Sequence, residues 1–361
     1  MTTHSCVVVV LLLFVQLAGA VKSIPKCTLD TPGKIPTFGQ LFATMRRDDP
    51  EKPDILDIDI DYRKHYSDKL FRSVNNDMMR SGSFLRLYEF LRAYADNNIH
   101  PTEGYVAKFE EFLDFAVKSR PFALLIEYFK LCQHPWFTTP LPEGVTRGEE
   151  LKPILRQLWW DKLYFDNVNY RPFVHVFFGQ KQTEVEQSSA GTRNNEYRAS
   201  GLHSWVGLFY RERSRKHKAK YLHPWDKHYD VVANVRVELM SSIEGRVYGK
   251  GTSGMFMNTS PAFDFSIFTA AVLYRGSEGV ERGQTLRTLT TSMYDCPFHL
   301  DHRLYFDNNG DIRISTIYPV PYVPPQERLH ELDDCINSFN LRNVDCPRAE
   351  QPGDPLPLSE P

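Results

Sequence analysis

The chain has 361 residues, of which 42% are hydrophobic and 24% charged, and its formal net charge is −2. This length and composition fit one large globular domain or two medium ones and exclude a disordered chain. The near-neutral charge excludes a protein that binds polyanions over its whole surface. Any contact with nucleic acid must therefore use a local basic patch.

The first twenty residues have the pattern of a secretory signal peptide. Every residue from Cys6 to Val15 is apolar, and Ala18-Gly19-Ala20 supplies the small residues that a signal peptidase recognises. The apolar run is too short to span a bilayer. We predict a signal peptide over residues 1–20, a secreted mature chain that starts near Val21, and an N-terminal extension over residues 21–35, with no stable membrane insertion.

Five of the six cysteines follow the signal peptide. In an oxidising compartment some of them should form disulfides, and the odd number leaves one free or intermolecular. Cys335 and Cys346 are close in sequence and form the most plausible bridge. No CxxC spacing occurs, so a cysteine zinc site is not expected.

The first half of the chain is predicted to be helical over residues 36–168. Apolar residues recur at helical spacing from Phe84 to Leu91 and from Val106 to Ala116, and a third helix is expected over Leu151 to Leu163.

The second half, residues 169–322, is predicted to be rich in strands. Apolar and mostly polar residues alternate from Val231 to Leu239, and again from Ile312 to Tyr318 behind the turn residues Asn308-Asn309-Gly310. Ser260-Pro261 predicts the start of one interrupting helix. We therefore expect an α+β protein with a helical N-terminal region followed by a mostly antiparallel β-sheet region, and a proline-rich tail over residues 323–361.

Two histidines and one lysine are the candidate catalytic residues. His175 lies in the apolar run Phe173–Phe178, which predicts a buried strand, and His203 lies in Gly201-Leu-His-Ser-Trp205. Taken alone, each histidine is more readily explained as a structural, hydrogen-bonded residue. Lys250 has a glycine on each side, which allows the backbone to approach a ligand closely, although a solvated loop lysine is the simpler explanation.

Together these three residue types suit cleavage of RNA by its own 2′-hydroxyl. One imidazole can remove the 2′-hydroxyl proton and the other can protonate the leaving 5′-oxygen, while the lysine balances charge on the phosphate.

Several short strings in fixed order resemble the EndoU family of uridylate-preferring endoribonucleases, which has secreted animal members. These strings are HVFFG, GLHSW followed by FY, a lysine six residues before Phe256, TSPAF and TIYP. The likeness covers about Pro36 to Tyr322. It implies that His203 is the general base, that His175 is the general acid and that Lys250 stabilises the phosphate. It also implies that Thr316 and Tyr318 lie near the nucleotide.

The sequence departs from the family pattern at four positions. Val174 and Gln180 replace two glutamates that flank the first histidine, and Ala262 replaces another. The serine expected four residues after the lysine falls on Gly254, so the adjacent Ser253 becomes the candidate substrate-binding serine. The link between the histidines, from Lys181 to Ser200, is longer than usual and is predicted to be an extended surface loop.

A basic run follows the second histidine motif and is either a solvated face or a patch that tracks RNA phosphates. Its members are Arg211, Arg213, Arg215, Lys216, Lys218 and Lys220. The family resemblance implies a divalent cation, Mn²⁺ or Ca²⁺, whose ligands the sequence leaves unknown.

The resemblance predicts a secreted endoribonuclease that cleaves single-stranded RNA at uridylates and leaves 2′,3′-cyclic phosphate ends. The alternative is a catalytically weak or inactive relative that binds RNA or another protein. Retention of both histidines and the lysine favours the enzyme, whereas the replaced glutamates favour the binder.

Overall fold

The structure is a computed structural model of the chain. It describes residues 21–27, 35–54, 56–61, 69–96, 103–161, 163–165, 168–187, 193–228, 232–241, 246–277, 285–293, 296–307 and 309–322. The predicted signal peptide, the proline-rich tail and the expected Cys335–Cys346 bridge lie outside these residues. Within the described residues, no helix combines the length and the apolar character needed to cross a membrane.

Seven helices and two short hairpins make up the helical part of the chain as far as it is described. The helices are α1 (Phe38–Arg47), α2 (Asn76–Met79), α3 (Gly82–Asp96), α4 (Glu103–Ala116), α5 (Arg120–Leu131), α6 (Pro135–Thr138) and α7 (Arg147–Trp159). The hairpins pair β1 (Ile58–Ile60) with β2 (Phe71–Val74), and β3 (Leu163–Phe165) with β4 (Val168–Tyr170).

Local sequence explains where several of these helices begin. Thr37 and Gln40 form a reciprocal capping box at the start of α1, and Thr146 and Glu149 do the same for α7. The expected helices at Phe84 and Val106 are confirmed as α3 and α4. The third ends at Trp159, earlier than expected, and Leu163 begins a strand.

The β-rich part contains three more helices and eight strands among the described residues. The helices are α8 (Pro172–Phe177), α9 (Trp205–Arg213) and α10 (Pro261–Arg275). The strands are β5 (Gln180–Gln187), β6 (Arg193–Ser200), β7 (His217–His228), β8 (Val232–Ser241), β9 (Arg246–Phe256), β10 (Thr285–Met293), β11 (Cys296–Phe306) and β12 (Ile312–Pro321). The predicted strands at Val231 and Ile312 are thus confirmed as β8 and β12, and the helix at Ser260-Pro261 as α10.

These strands form two sheets. One has the order β5-β6-β9-β8-β7 and the other the order β10-β11-β12. The strands pair antiparallel except β6 and β9, which meet in parallel at a single pair, Arg198 and Gly249. β12 packs across β8 and β9 and also contacts α8. The fold is therefore α+β, as predicted, and the contact between β12 and the five-stranded sheet is where the candidate residues meet.

One continuous apolar core joins both parts of the chain, from Phe42 on α1 to Ile317 on β12. The segment after the predicted signal peptide also belongs to the packed structure. Val21 exchanges hydrogen bonds with Gln157 of α7, Ile312 of β12 donates to the Val21 carbonyl, and a disulfide joins Cys27 to Cys132. This N-terminal segment, residues 21–27, therefore ties α5, α7 and β12 together.

Candidate active site

His175 lies in the last turn of helix α8, so the expected strand at Phe173–Phe178 is wrong. Pro172 occupies the first helical turn, and Gly179, at φ +78°, ends the helix with its N–H donating to the Val174 carbonyl. The run shows no period because every side chain in it is buried. An apolar run buried on all sides does not distinguish a strand from a helix by its pattern.

The expected surface loop between the histidines is also wrong, because the chain there forms the hairpin β5–β6. Gln180 pairs with Ser200 at its open end and Gln187 pairs with Arg193 at the other. The two ends of the hairpin, Gln180 and Ser200, therefore lie side by side. This brings the His203 segment back beside α8.

The two histidine segments touch through their main chains. Leu202 donates its N–H to the His175 carbonyl at 2.8 Å, and His203 donates to the Val176 carbonyl at 2.6 Å. Gly201 has φ +77°, and a Cβ added there would collide with the His175 carbonyl oxygen. Only glycine allows this approach, so the separation of the two imidazoles is set by backbone contact.

The His203 imidazole is oriented by strand β9. Its Nδ1 lies 2.8 Å from the Gly254 carbonyl oxygen. A carbonyl can only accept, so Nδ1 carries the hydrogen and Nε2 is left with a lone pair. The Ser253 hydroxyl donates to the carbonyl of Leu202 and lies 3.3 Å from that of Gly201. Strand β9 thereby holds both the ring and the loop that carries it.

Strand β12 places a hydroxyl between the two imidazoles. Thr316 Oγ1 lies 3.2 Å from His175 Nε2 and 3.4 Å from His203 Nε2. Tyr318, two residues further along the same strand face, stacks on His203 with ring centroids 4.6 Å apart and an interplanar angle of 19°. Gly254 permits this approach of β12, because a Cβ there would collide with the Pro319 carbonyl oxygen.

Lys250 completes the cluster from strand β9, where it lies opposite Val237 of β8. Burial lowers the pKa of its ammonium to about 8, although the residue as a whole is only half-buried. Burial, and then repulsion from Lys250, lowers the pKa of His175 to about 3. The same two causes lower the pKa of His203 well below its ordinary value. Both imidazoles are therefore neutral at pH 7, close to a positive charge.

Two residues that the sequence assigned to RNA contact have structural environments instead. Ser253 is fully buried, and its hydroxyl faces the His203 loop. Arg211 is buried, donates to the carbonyls of Phe178 and Gly179, and stacks over the Phe178 ring at 3.8 Å. Arg211 thus fixes the end of α8 and is not available to phosphate. The rest of the basic run stays at the surface, with Arg213, Arg215, Lys216 and Lys218 exposed and Lys220 half-buried.

The positions that correspond to the family glutamates do not fit a divalent cation. Val174 is fully buried and has no oxygen in its side chain, and the Gln180 side chain hydrogen-bonds to Tyr94. Within the described ranges, no group of three or more His, Cys, Asp or Glu side chains is placed to hold a metal ion. No step is therefore assigned to a metal.

Sequence reasoning identified His175, His203, Lys250, Thr316 and Tyr318, and the structure brings these five residues together. It did not identify the Gly254 carbonyl as the partner of His203, because every residue carries a carbonyl and no sequence signal marks this one. Nor did it recognise Ser253 and Arg211 as supports of the two histidine segments.

Two neutral imidazoles that converge on one hydroxyl beside a lysine define a site suited to acid–base chemistry on an α+β fold. The chain belongs to the XendoU family of endoribonucleases, because the family model described as endoribonuclease XendoU matches residues 41–319.

Individual relatives agree with this assignment. The chain is 24% identical over 269 residues to uridylate-specific endoribonuclease B of Danio rerio. The matched region covers 70% of this chain and 79% of the relative. The fold of this chain is similar to that of a solved structure of XendoU, described as a splicing-independent snoRNA processing endoribonuclease. That match has a TM-score of 0.55 and 20% identity, and covers 81% of this chain and 99% of the other.

Proposed function

We propose that this protein is a secreted endoribonuclease that cleaves single-stranded RNA at uridylates and leaves 2′,3′-cyclic phosphate ends. The observation that carries the proposal is the position of Thr316 Oγ1, within 3.4 Å of the Nε2 atoms of both histidines. Both Nε2 atoms therefore face one small region beside β12, as proton transfers to the 2′- and 5′-oxygens of a single phosphate require.

In the proposed reaction the 2′-oxygen attacks phosphorus and the bond from phosphorus to the 5′-oxygen breaks. His203 Nε2 accepts the 2′-hydroxyl proton, since its Nδ1 hydrogen is held by Gly254. His175 Nε2 delivers a proton to the leaving 5′-oxygen. Lys250 offsets the negative charge that develops on the phosphate oxygens. Tyr318 supports the His203 ring and offers a surface for the nucleotide.

The low pKa of His175 is compatible with its role as an acid once the substrate is bound. In the free protein the imidazole is neutral, because burial and Lys250 both disfavour its charged form. A bound phosphate brings negative charge next to the ring and raises its pKa. Protonation of His175 is thus coupled to the arrival of RNA.

The disulfide Cys27–Cys132 supports the proposal of a secreted protein. Disulfides form and persist in oxidising compartments and are rare in the cytosol. The apolar run before Val21 supplies the signal.

The decisive experiment uses purified protein and a short RNA with a single uridine, with and without Mn²⁺ or Ca²⁺. We expect one cut at the uridine, with a cyclic phosphate on the 5′ fragment. The matched control carries 2′-deoxyuridine at the same position, which lacks the attacking hydroxyl, and should remain intact. Cleavage of the deoxy control would show a different chemistry or a contaminating nuclease.

The second candidate function is an inactive RNA-binding relative. It is favoured by Val174, which is fully buried where the family carries a glutamate. A protein of this kind would bind the deoxyuridine RNA and leave the all-ribose RNA uncut at every pH from 5 to 8.

A further inference from the structure

Strands β7 and β8 carry three cations on one exposed face, here called the basic face: Lys218, Lys220 and Arg236. On β7 the first two alternate with the buried residues His217, Ala219 and Tyr221. On β8, Arg236 lies between buried Val235 and Val237 and is itself exposed. The buried residues face the core, and the cations face away from it.

The strand register places the basic face on the side of the sheet opposite to Lys250. Directly paired residues of antiparallel strands point to the same face. Tyr221 pairs with Val237, and Val237 pairs with Lys250, so Lys250 shares the inner face. Lys220 pairs with Glu238, and Glu238 pairs with Gly249, so these residues share the outer face. RNA held at the catalytic site cannot contact the basic face without passing around the sheet.

The edge strand β7 offers a route around the sheet. It is the last strand in the order of the five-stranded sheet. Arg213, the last residue of α9, and Arg215 and Lys216 in the turn that follows it are all exposed, and these three residues are here called the basic turn. The Arg213 guanidinium stacks over the Phe209 ring at 3.9 Å, which limits its freedom.

The basic turn is connected to the catalytic site by helix α9. This helix begins at Trp205, two residues after His203, and ends at Arg213. Nine residues of helix span about 13 Å. The length of α9 therefore places the basic turn within a few nucleotides of His203, and the basic face lies beyond the turn.

The charge of this surface indicates a polyanion. Six cations follow one another along the turn and the outer face, with Glu238 opposite Lys220, in a chain whose net charge is −2. Local clusters of this kind provide the sequence-independent part of nucleic-acid binding. Arg211, the buried member of the run, is not part of it.

We propose that the basic turn and the basic face form an exosite for the sugar–phosphate backbone of the substrate RNA, several nucleotides from the cleaved bond. The proposal rests on the proposed function, since the occupant is a distal segment of the RNA that is cleaved. Helix α9 is buried from Trp205 to Glu212, so the RNA reaches the basic turn over the surface above this helix and then passes around the edge strand β7 onto the outer face. Long RNA is thereby favoured over short RNA, with no effect on which bond is cut.

The test compares a triple variant, Lys218→Gln with Lys220→Gln and Arg236→Gln, with a matched control. The control is Arg80→Gln with Lys118→Gln and Lys130→Gln, which removes three exposed cations from the helical part. Each protein is assayed on an RNA of about 30 nucleotides and on one of about four, each with one uridine. Equal unfolding midpoints establish that both variants are folded.

We expect the triple variant to raise KM for the long RNA on the order of 10-fold at low salt. When the logarithm of the association constant for the long RNA is plotted against the logarithm of the salt concentration, the slope should become shallower by about 2. Each lost phosphate contact on a single strand reduces this slope by about 0.7, and the variant removes three cations. Its kcat/KM for the short RNA should stay within about 2-fold of the parent value. The control variant should keep kcat/KM within about 2-fold of the parent value for both RNAs. The exosite proposal is wrong if the triple variant leaves KM for the long RNA unchanged. It is also wrong if the variant lowers kcat/KM for the short RNA as much as for the long RNA.

Binding of the uncleavable deoxyuridine RNA separates this proposal from the proposed function. If the parent cuts no RNA but binds the long deoxy RNA more tightly than the triple variant does, the exosite stands and the nuclease does not. If the triple variant loses affinity for heparin or for vesicles with anionic lipids while its affinity for long RNA is unchanged, the occupant is not RNA and the proposal fails.

Discussion

The helical part and the candidate site are held together by different kinds of contact. In the helical part, side chains make the contacts: Phe109 stacks on Trp160 at 4.2 Å, and Arg156 pairs with Glu110 through two nitrogens. At the candidate site, main-chain atoms make the contacts. The N–H groups of Leu202 and His203, for example, donate hydrogen bonds to main-chain carbonyls of α8. Side-chain packing tolerates substitutions of similar volume, whereas a backbone contact without a Cβ tolerates none.

This difference implies that stability and catalysis can be separated. A cavity in the helical part should lower stability while the distances between the catalytic atoms persist in the folded fraction. An added methyl group at a glycine of the site should change those distances even when the protein stays folded.

The largest effect is expected for Gly201→Ala. The new methyl group would collide with the His175 carbonyl and would require a positive φ that alanine rarely adopts. We expect kcat on a short RNA to fall on the order of 1,000-fold, because small displacements of reacting groups cost large factors in rate. The matched variant is Leu113→Ala on α4, which should cost about 2–5 kcal/mol of stability. That variant should retain kcat near the parent value well below its melting temperature. If Leu113→Ala loses as much kcat as Gly201→Ala, the contrast between the two regions is wrong.

The next largest effect concerns acid pH. The pKa of His175 is lowered to about 3, so its protonated fraction should rise about 10-fold for each unit that pH falls from 7 to 5. His203 stays neutral in this range, because its pKa is also well below its ordinary value, and Lys250 stays charged. We expect kcat/KM to rise by up to about 100-fold between pH 7 and 5. A kcat/KM that falls over this range would show that a different group is the acid.

A smaller effect is expected at alkaline pH. The pKa of Lys250 is about 8, so the charged form that stabilises the phosphate is lost as pH rises through that value. We expect the loss of this charge to lower kcat/KM by about 5-fold between pH 8 and 9, in addition to the fall of about 10-fold per pH unit that follows from deprotonation of His175. In Lys250→Arg the guanidinium stays charged, so the part of the fall that is due to Lys250 should disappear and only the part due to His175 should remain, whatever the absolute rate. An identical fall in the variant would assign it to another group.

The smallest effect is expected for Ser253→Ala. The change removes a buried donor from the carbonyls of Leu202 and Gly201 and should cost about 1–3 kcal/mol of stability. We expect kcat to fall a few-fold and KM for a short RNA to remain unchanged, since the hydroxyl holds the loop and does not face the substrate. A rise in KM without a change in kcat would return Ser253 to the role of a substrate contact.

The sequence predicted most accurately those elements whose two faces differ. Strand β8 alternates between buried and more exposed residues over part of its length, and α3 and α4 repeat at helical spacing, so each pattern reports its own environment. Strand β12 also alternates in sequence and was predicted as a strand, although its polar residues Arg313 and Ser315 are buried too. The start of α10 was readable from Ser260-Pro261, because that cap is local in sequence.

Predictions failed where the environment is set by distant contacts. The run around His175 is buried on all sides, so its pattern could not reveal a helix. The hairpin β5–β6 is polar enough to resemble a loop. The burial of Arg211 depends on the carbonyls of Phe178 and Gly179, which fold onto it from more than thirty residues away in sequence. The motif order singled out the candidate residues that the structure brings together, but it gave no information on which atoms hold them in place.

The hydrogen bond from Ile312 to Val21 has a consequence for the timing of synthesis. The strand that carries Thr316 and Tyr318 is the last described strand to emerge from the ribosome, and it docks on a segment made near the beginning. Until that strand has emerged, a growing chain holds both histidines and Lys250 but lacks the hydroxyl and the aromatic ring that complete the cluster. A growing chain of this fold therefore lacks the complete candidate site while most of its message is being translated.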